Sequence, residues 1–147
     1  MKISMNIKKL NENATVPTYG SASAAGADLY ACEQNAVTIE PSQTVLIHTG
    51  IAMAIPEGFV GLIYARSGLA SKRGLAPANK VGVIDSDYRG EIMVALHNHS
   101  QTAQTIENGE RIAQIVFTPY ASADFTVASD LDSTERGAGG FGSTGTK

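Results

Sequence analysis

Thr44-Val45-Leu46-Ile47-His48-Thr49-Gly50-Ile51-Ala52-Met53-Ala54-Ile55, closed by Pro56, is an apolar run rich in β-branched residues. Such side chains suit an extended, half-buried chain. Pro56 and the glycine inside the run are the punctuation that strands carry. The same texture recurs outward. Toward the N-terminus lie Ile3 to Leu10, Ala27 to Cys32, and Ala36 to Ile39 ahead of Pro41. Toward the C-terminus lie Phe59 to Ala65, Lys80 to Asp85, Glu91 to His97 and Arg111 to Tyr120. Short strands at this spacing predict an all-β sandwich or barrel. Only Ser67 to Lys72 reads as helix, with Ser67 as its N-cap. Longer amphipathic helices between the strands, which an α/β fold needs, are not found.

The chain has 147 residues, of which 43% are hydrophobic and 17% charged, so one domain with its own core is expected. The net charge is −3, which excludes the overall basic footprint of a nucleic-acid binder. An anionic ligand would then be held by a local cluster. One cysteine, Cys32, excludes a disulfide framework and fits a reducing, cytoplasmic setting. No apolar run has the length of a membrane span, and no signal peptide is visible.

From Ala128 the texture changes to polar residues and then to Gly137-Ala138-Gly139-Gly140-Phe141-Gly142. The expected division is a β core over 1–128 and a flexible glycine-rich arm over 129–147. Gly137, Gly139 and Gly142 spell a formal G-x-G-x-x-G, but no strand and helix flank it as a dinucleotide site requires. Gly140 and Gly145 have P-loop spacing, but Thr146 stands where the lysine belongs. Two readings are left. The segment is a plain linker, or it is a flap with a planar cation in Arg136, closely approaching backbone N–H groups and an aromatic in Phe141.

Three further constellations carry chemistry. Arg66-Ser67-Gly68 at a strand-to-helix turn fits a phosphate cradle, though taken alone it fits a capped surface helix better. Asp85 to Gly90 joins two apolar runs and is expected to turn a hairpin. A carboxylate at its strand end would orient a water, and Tyr88 would stack on a sugar. His97 and His99 would share a strand face, but without further ligands nearby they do not make a zinc site.

Five segments, in order, resemble the homotrimeric dUTPases: Ala25 to Ala31, Arg66 to Ala70, Gly82 to Ile92 (GVIDSDYRGEI), Gly109 to Phe117, and Arg136 to Gly145. The resemblance implies a distorted jelly-roll β-barrel or sandwich with one short helix. It implies a homotrimer with active sites at subunit interfaces, hydrolysing dUTP to dUMP and pyrophosphate with Mg²⁺. It also implies roles. Asp85 holds the attacking water, and Tyr88 lies under the deoxyribose. Asn79 and the backbone around it read uracil. Arg66, Ser67, Gly68 and Gln114 hold phosphates, and Asp28 touches magnesium through water. The arm closes with Arg136, Phe141, Gly142, Ser143 and Thr144, Phe141 lying over the base. No nucleic-acid or membrane partner is implied. A dCTP deaminase shares the fold, but that family carries a Glu where Ala95 stands here, and alanine relays no proton. A non-catalytic trimeric binder on the same fold would have no use for Asp85 and the arm together.

Overall fold

The computed structural model describes residues 2–140. In chain order the elements are β1 (Asn6–Lys9), β2 (Thr18–Tyr19), β3 (Ala27–Tyr30), β4 (Val37–Ile39), β5 (Thr44–His48) and β6 (Ile51–Ala54). They continue with β7 (Phe59–Tyr64), α1 (Ser67–Arg73), β8 (Leu75–Pro77), β9 (Gly82–Ile84), β10 (Met93–Asn98), β11 (Gln104–Ile106) and β12 (Arg111–Pro119). The run that opens the sequence reading is broken after five residues. Gly50 adopts a left-handed φ of 67° between β5 and β6, and the chain turns there into another sheet.

The strands form four small antiparallel sheets, ordered β1-β6, β5-β10-β8, β11-β4 and β2-β3-β12-β7-β9. All four contribute to one core. Leu29 and Ile115 enter it from the five-stranded sheet, Ile47 and Leu96 from the three-stranded sheet, and Ile39 and Ile51 from the two pairs. The alternation that predicts half-buried strands is clear in β10, where Val94, Leu96 and Asn98 point inward. Buried Asn98 is satisfied: its amide donates to the carbonyls of Ile39 and Thr102, each at 2.8 Å. The result is a sheet-rich sandwich, as the resemblance implies, rather than a closed barrel.

Two expectations change. The Asp85–Gly90 segment is not a hairpin: β9 pairs with β7, whereas β10 pairs with β5 and β8. It carries the chain between two sheets. The residues around Asn79 likewise link β8 of one sheet to β9 of another. Ser67 is the first residue of α1 rather than its cap, and the cap position falls to Arg66 without a side-chain hydrogen bond. The strands β2, β8 and β11, of two or three residues, lie outside the apolar runs of the sequence. After β12 the described residues through Gly140 form no helix or strand.

Candidate active site

Asp28 lies in the middle of β3 and is nearly buried. A bare buried carboxylate is costly. Here Oδ1 accepts from Arg66 Nε at 2.7 Å and Oδ2 from Arg111 Nη1 at 3.3 Å. Opposite Asp28 in β12 stands Gln114, whose amide donates to the Ala65 carbonyl at 2.9 Å. That bond ties down the end of β7 just before Arg66. Gly26 completes the arrangement, because a Cβ there would overlap the Gln114 amide oxygen. The sequence-predicted residues Asp28, Arg66 and Gln114 are therefore one cluster. Ser67 and Gly68 follow Arg66 as the exposed first turn of α1, which holds no acidic residue. Unpaired N–H groups of a first helical turn favour anions.

Arg111 belongs to this cluster too, although the sequence assigns it no role. The reason lies in β12. The register with β3 shifts between Arg111 and Ala113, so Arg111 and Gln114, three residues apart, both face Asp28. Strict alternation would put them on opposite faces, and a bulge is what re-phases them. No feature of the sequence marks that bulge.

A second cluster surrounds the β9–β10 connection. Asn79 folds over Gly82, and with Ile84 and Ala95 these residues line a narrow cleft of about 90 Å³. Asp85 follows directly and borders two hollows. One, about 220 Å³, is shared with Leu46, Tyr88 and Met93. The other, about 600 Å³ and polar, is shared with Glu57, Asp87, Arg89 and Tyr120. The Asp85 carboxylate is exposed and has no hydrogen-bond partner among the described residues. Tyr88 is fixed: its N–H donates to the Asp85 carbonyl at 3.2 Å and its hydroxyl to the Glu91 carbonyl at 2.9 Å.

Asp85 and Arg66 stand toward opposite ends of β7. Gly61 pairs with Ile84, so Asp85 lies toward Phe59, whereas Arg66 follows the far end of the strand. At about 3.3 Å per residue the separation is roughly 15–20 Å. Arg136 sits in neither cluster: its Nε donates to the Gly139 carbonyl at 2.9 Å, in an exposed turn with Gly137 at a φ of 52°. Phe141, Gly142, Ser143 and Thr144 lie outside the described residues. His97 and His99 do come together, with ring centroids 4.4 Å apart. Among the described residues no group of three or more His, Cys, Asp or Glu is placed to hold a metal.

With this geometry in hand, the chain matches the dUTPase family model over residues 12–145. The chain belongs to the dUTPase family. It is 47% identical to the deoxyuridine 5'-triphosphate nucleotidohydrolase of Acinetobacter baylyi, with 100% of both chains covered. It is 49% identical to the enzyme of the same name from Desulfitobacterium hafniense, over 99% of this chain and 97% of that one. Among solved structures it is similar to the dUTPase of Staphylococcus bacteriophage 80alpha with dUPNHPP. There the TM-score is 0.90 at 31% identity, covering 99% of this chain and 100% of the other. A dUTPase from phage phi11 of S. aureus gives a TM-score of 0.81 at 26% identity, covering 90% of this chain and 100% of the other. The family match covers both clusters and includes the arm from Arg136.

Proposed function

We propose that this dUTPase-family chain hydrolyses dUTP to dUMP and pyrophosphate, with Asp85 as the group that orients and deprotonates the attacking water. The observation that carries the reading is Asp85 itself. It stands at a strand end, unpaired among the described residues, between the hollow that Tyr88 borders and a polar, open one. A general base has to be accessible to water and free to take a proton, and this exposed, unpaired carboxylate is both. Water attacks the α-phosphorus in line as the bond to the bridging oxygen of the β-phosphate breaks. Asp85 takes the proton and pyrophosphate leaves.

The remaining groups supply position and charge, which account for most of the catalysis in phosphoryl chemistry. Arg66 is pre-aimed by Asp28, so little reorganisation is needed when phosphate arrives. Ser67, Gly68 and Gln114 take further phosphate oxygens. Arg136, Phe141, Gly142, Ser143 and Thr144 close over the γ-phosphate and base and shed water. Asn79 and the neighbouring backbone pair with uracil. Cytosine offers a donor where uracil has an acceptor, a mismatch of roughly 1–3 kcal/mol for each buried group. Tyr88 leaves no space for a 2′-hydroxyl.

Asp28 is the residue that would hold a magnesium ion. Both its oxygens already accept from arginine, yet each has a further lone pair, which suits contact through water rather than direct ligation. Magnesium keeps several of its waters, and when bound it supplies counter-charge to the triphosphate.

The distance between Asp85 and Arg66 supports a trimer with shared sites. A triphosphate whose α-phosphorus lies beside Asp85 does not reach across β7 to Arg66 of the same chain. A second copy would bring its own Arg66 cluster to this Asp85. Exposed Leu46 and Val83, at 49% and 61%, border the Asp85 hollow and would be covered by such a neighbour. The reading carries a cytoplasmic location, which the half-buried lone thiol of Cys32 supports.

The test is a nucleotide screen with Mg²⁺. Pyrophosphate is expected from dUTP and hardly at all from UTP, dCTP or dTTP. Equal turnover of UTP would remove Tyr88 from its role.

A further inference from the structure

Tyr88 lies on a connection between sheets that no strand supports, so its ring must be held by other means. Gly90 provides one: a Cβ there would overlap the Tyr88 ring. The second is the bond from the Tyr88 hydroxyl to the Glu91 carbonyl, at 2.9 Å. The ring is thus placed by whatever places Glu91.

Glu91 is anchored by residues outside the five segments. Its Oε1 accepts from the Gly50 N–H at 2.8 Å, and its Oε2 is bonded to His48 Nδ1 at 2.9 Å. The next residue is tied to the same corner. The Ile92 N–H donates to the Ile51 carbonyl at 2.9 Å, and the Thr49 hydroxyl donates to the Ile92 carbonyl. Gly50 is required for this. Its φ is 67°, and a Cβ would press on Ala14 and Cys32. The His48 N–H is itself fixed by Glu33 Oε1 at 2.8 Å.

We infer that Glu91 and His48 are positioning residues for Tyr88, and that through it they set the discrimination between 2′-deoxy and 2′-hydroxy nucleotides. The inference rests on the role given to Tyr88 above. The His48 side chain is 50% exposed and that of Glu91 22%, so water competes for the His48 bond more than for the partly buried Gly50 bond. Glu91 therefore carries the larger share.

The experiment compares kcat/KM for dUTP and for UTP in the wild type, Glu91→Ala, Glu91→Gln and His48→Gln. Loss of folded protein lowers both rates together, so their ratio isolates positioning. The dUTP preference is expected to fall about tenfold in Glu91→Ala, the scale of one lost hydrogen bond to a charged group. A smaller fall is expected in His48→Gln. Glu91→Gln keeps an acceptor for Gly50 and is expected to restore the preference. An unchanged ratio in Glu91→Ala overturns the inference. A second readout is independent of turnover: tyrosine-ring NMR, with Tyr88 assigned through Tyr88→Phe. Glu91→Ala is expected to move that resonance and Glu91→Gln to return it. A resonance that stays put also overturns the inference. A wild type inactive on dUTP with a responsive Tyr88 resonance would instead count against the proposed activity.

Discussion

The two ends of β7 solve opposite problems. At the Arg66 end, charge is paired before any ligand arrives. Asp28 is held by two arginines, and Gln114 clasps the strand end. At the other end, Asp85 stands open on a connection with no strand partner, and only its neighbour Tyr88 is pinned. A phosphate subsite gains from fixed cations, because their orientation is settled by folding. A water-activating carboxylate gains from being unpaired, because a salt bridge would weaken it as a base. Under the proposed function the difference gives phosphate binding to one end and water activation to the other, a division open to test.

The largest effect is expected from Asp85→Asn. Turnover should fall about 10²–10⁴-fold, the usual contribution of a general base. Calorimetric affinity for a non-hydrolysable imido analogue of dUTP should be nearly unchanged. Lost affinity would mean that the Asp85 carboxylate itself also binds. Next, removal of residues 136–147 should abolish most dUTP turnover while sedimentation still reports a trimer. A monomer would make the arm part of the assembly rather than of the site.

Gly26→Ala probes the other end. The new methyl group displaces the Gln114 amide and with it the clasp on the Ala65 carbonyl, so the melting temperature should fall by a few degrees. KM for dUTP should rise several-fold with kcat little changed, since one phosphate contact shared by ground and transition states is lost. A fall in kcat alone would move Gln114 from binding to chemistry.

The smallest effect concerns pH. The His48 pKa is raised, chiefly by its hydrogen bond to Glu91, against a smaller opposing effect of burial. Glu91 and Glu33 face it and Cys32 packs nearby. A raised histidine pKa stabilises the fold fully below the unfolded value of about 6.5 and loses that contribution as pH rises through the folded value. Thermal melts of wild type and His48→Gln should therefore differ more in mildly acidic than in alkaline buffer. The gap should be small because His48 is half exposed. A gap independent of pH would mean the pair is not ionic.

Much of the fold was legible in sequence because its evidence is local. Alternating apolar residues and Gly or Pro breaks place eight strand-forming runs and one short helix without reference to the rest of the chain. The strands β2, β8 and β11 were not legible, since their two or three residues lie outside the apolar runs and form only against a partner already in place. The cap of α1 was misplaced by one residue because Arg66 is held by Asp28, thirty-eight positions away, and not by a local side-chain bond.

The sequence by itself determined the β class, the family and the identity of the candidate residues, because these depend on residue type and spacing along one strand or loop. The tertiary structure decided which of them meet. It turned an expected Asp85–Gly90 hairpin into a crossing between sheets and, through a bulge in β12, brought Arg111 to Asp28. It also set Asp85 and Arg66 a strand's length apart and gave Glu91 and His48 a hold on Tyr88. Those relations join residues tens of positions apart, and strand register, which fixes them, is a property of the paired chain and not of any segment alone.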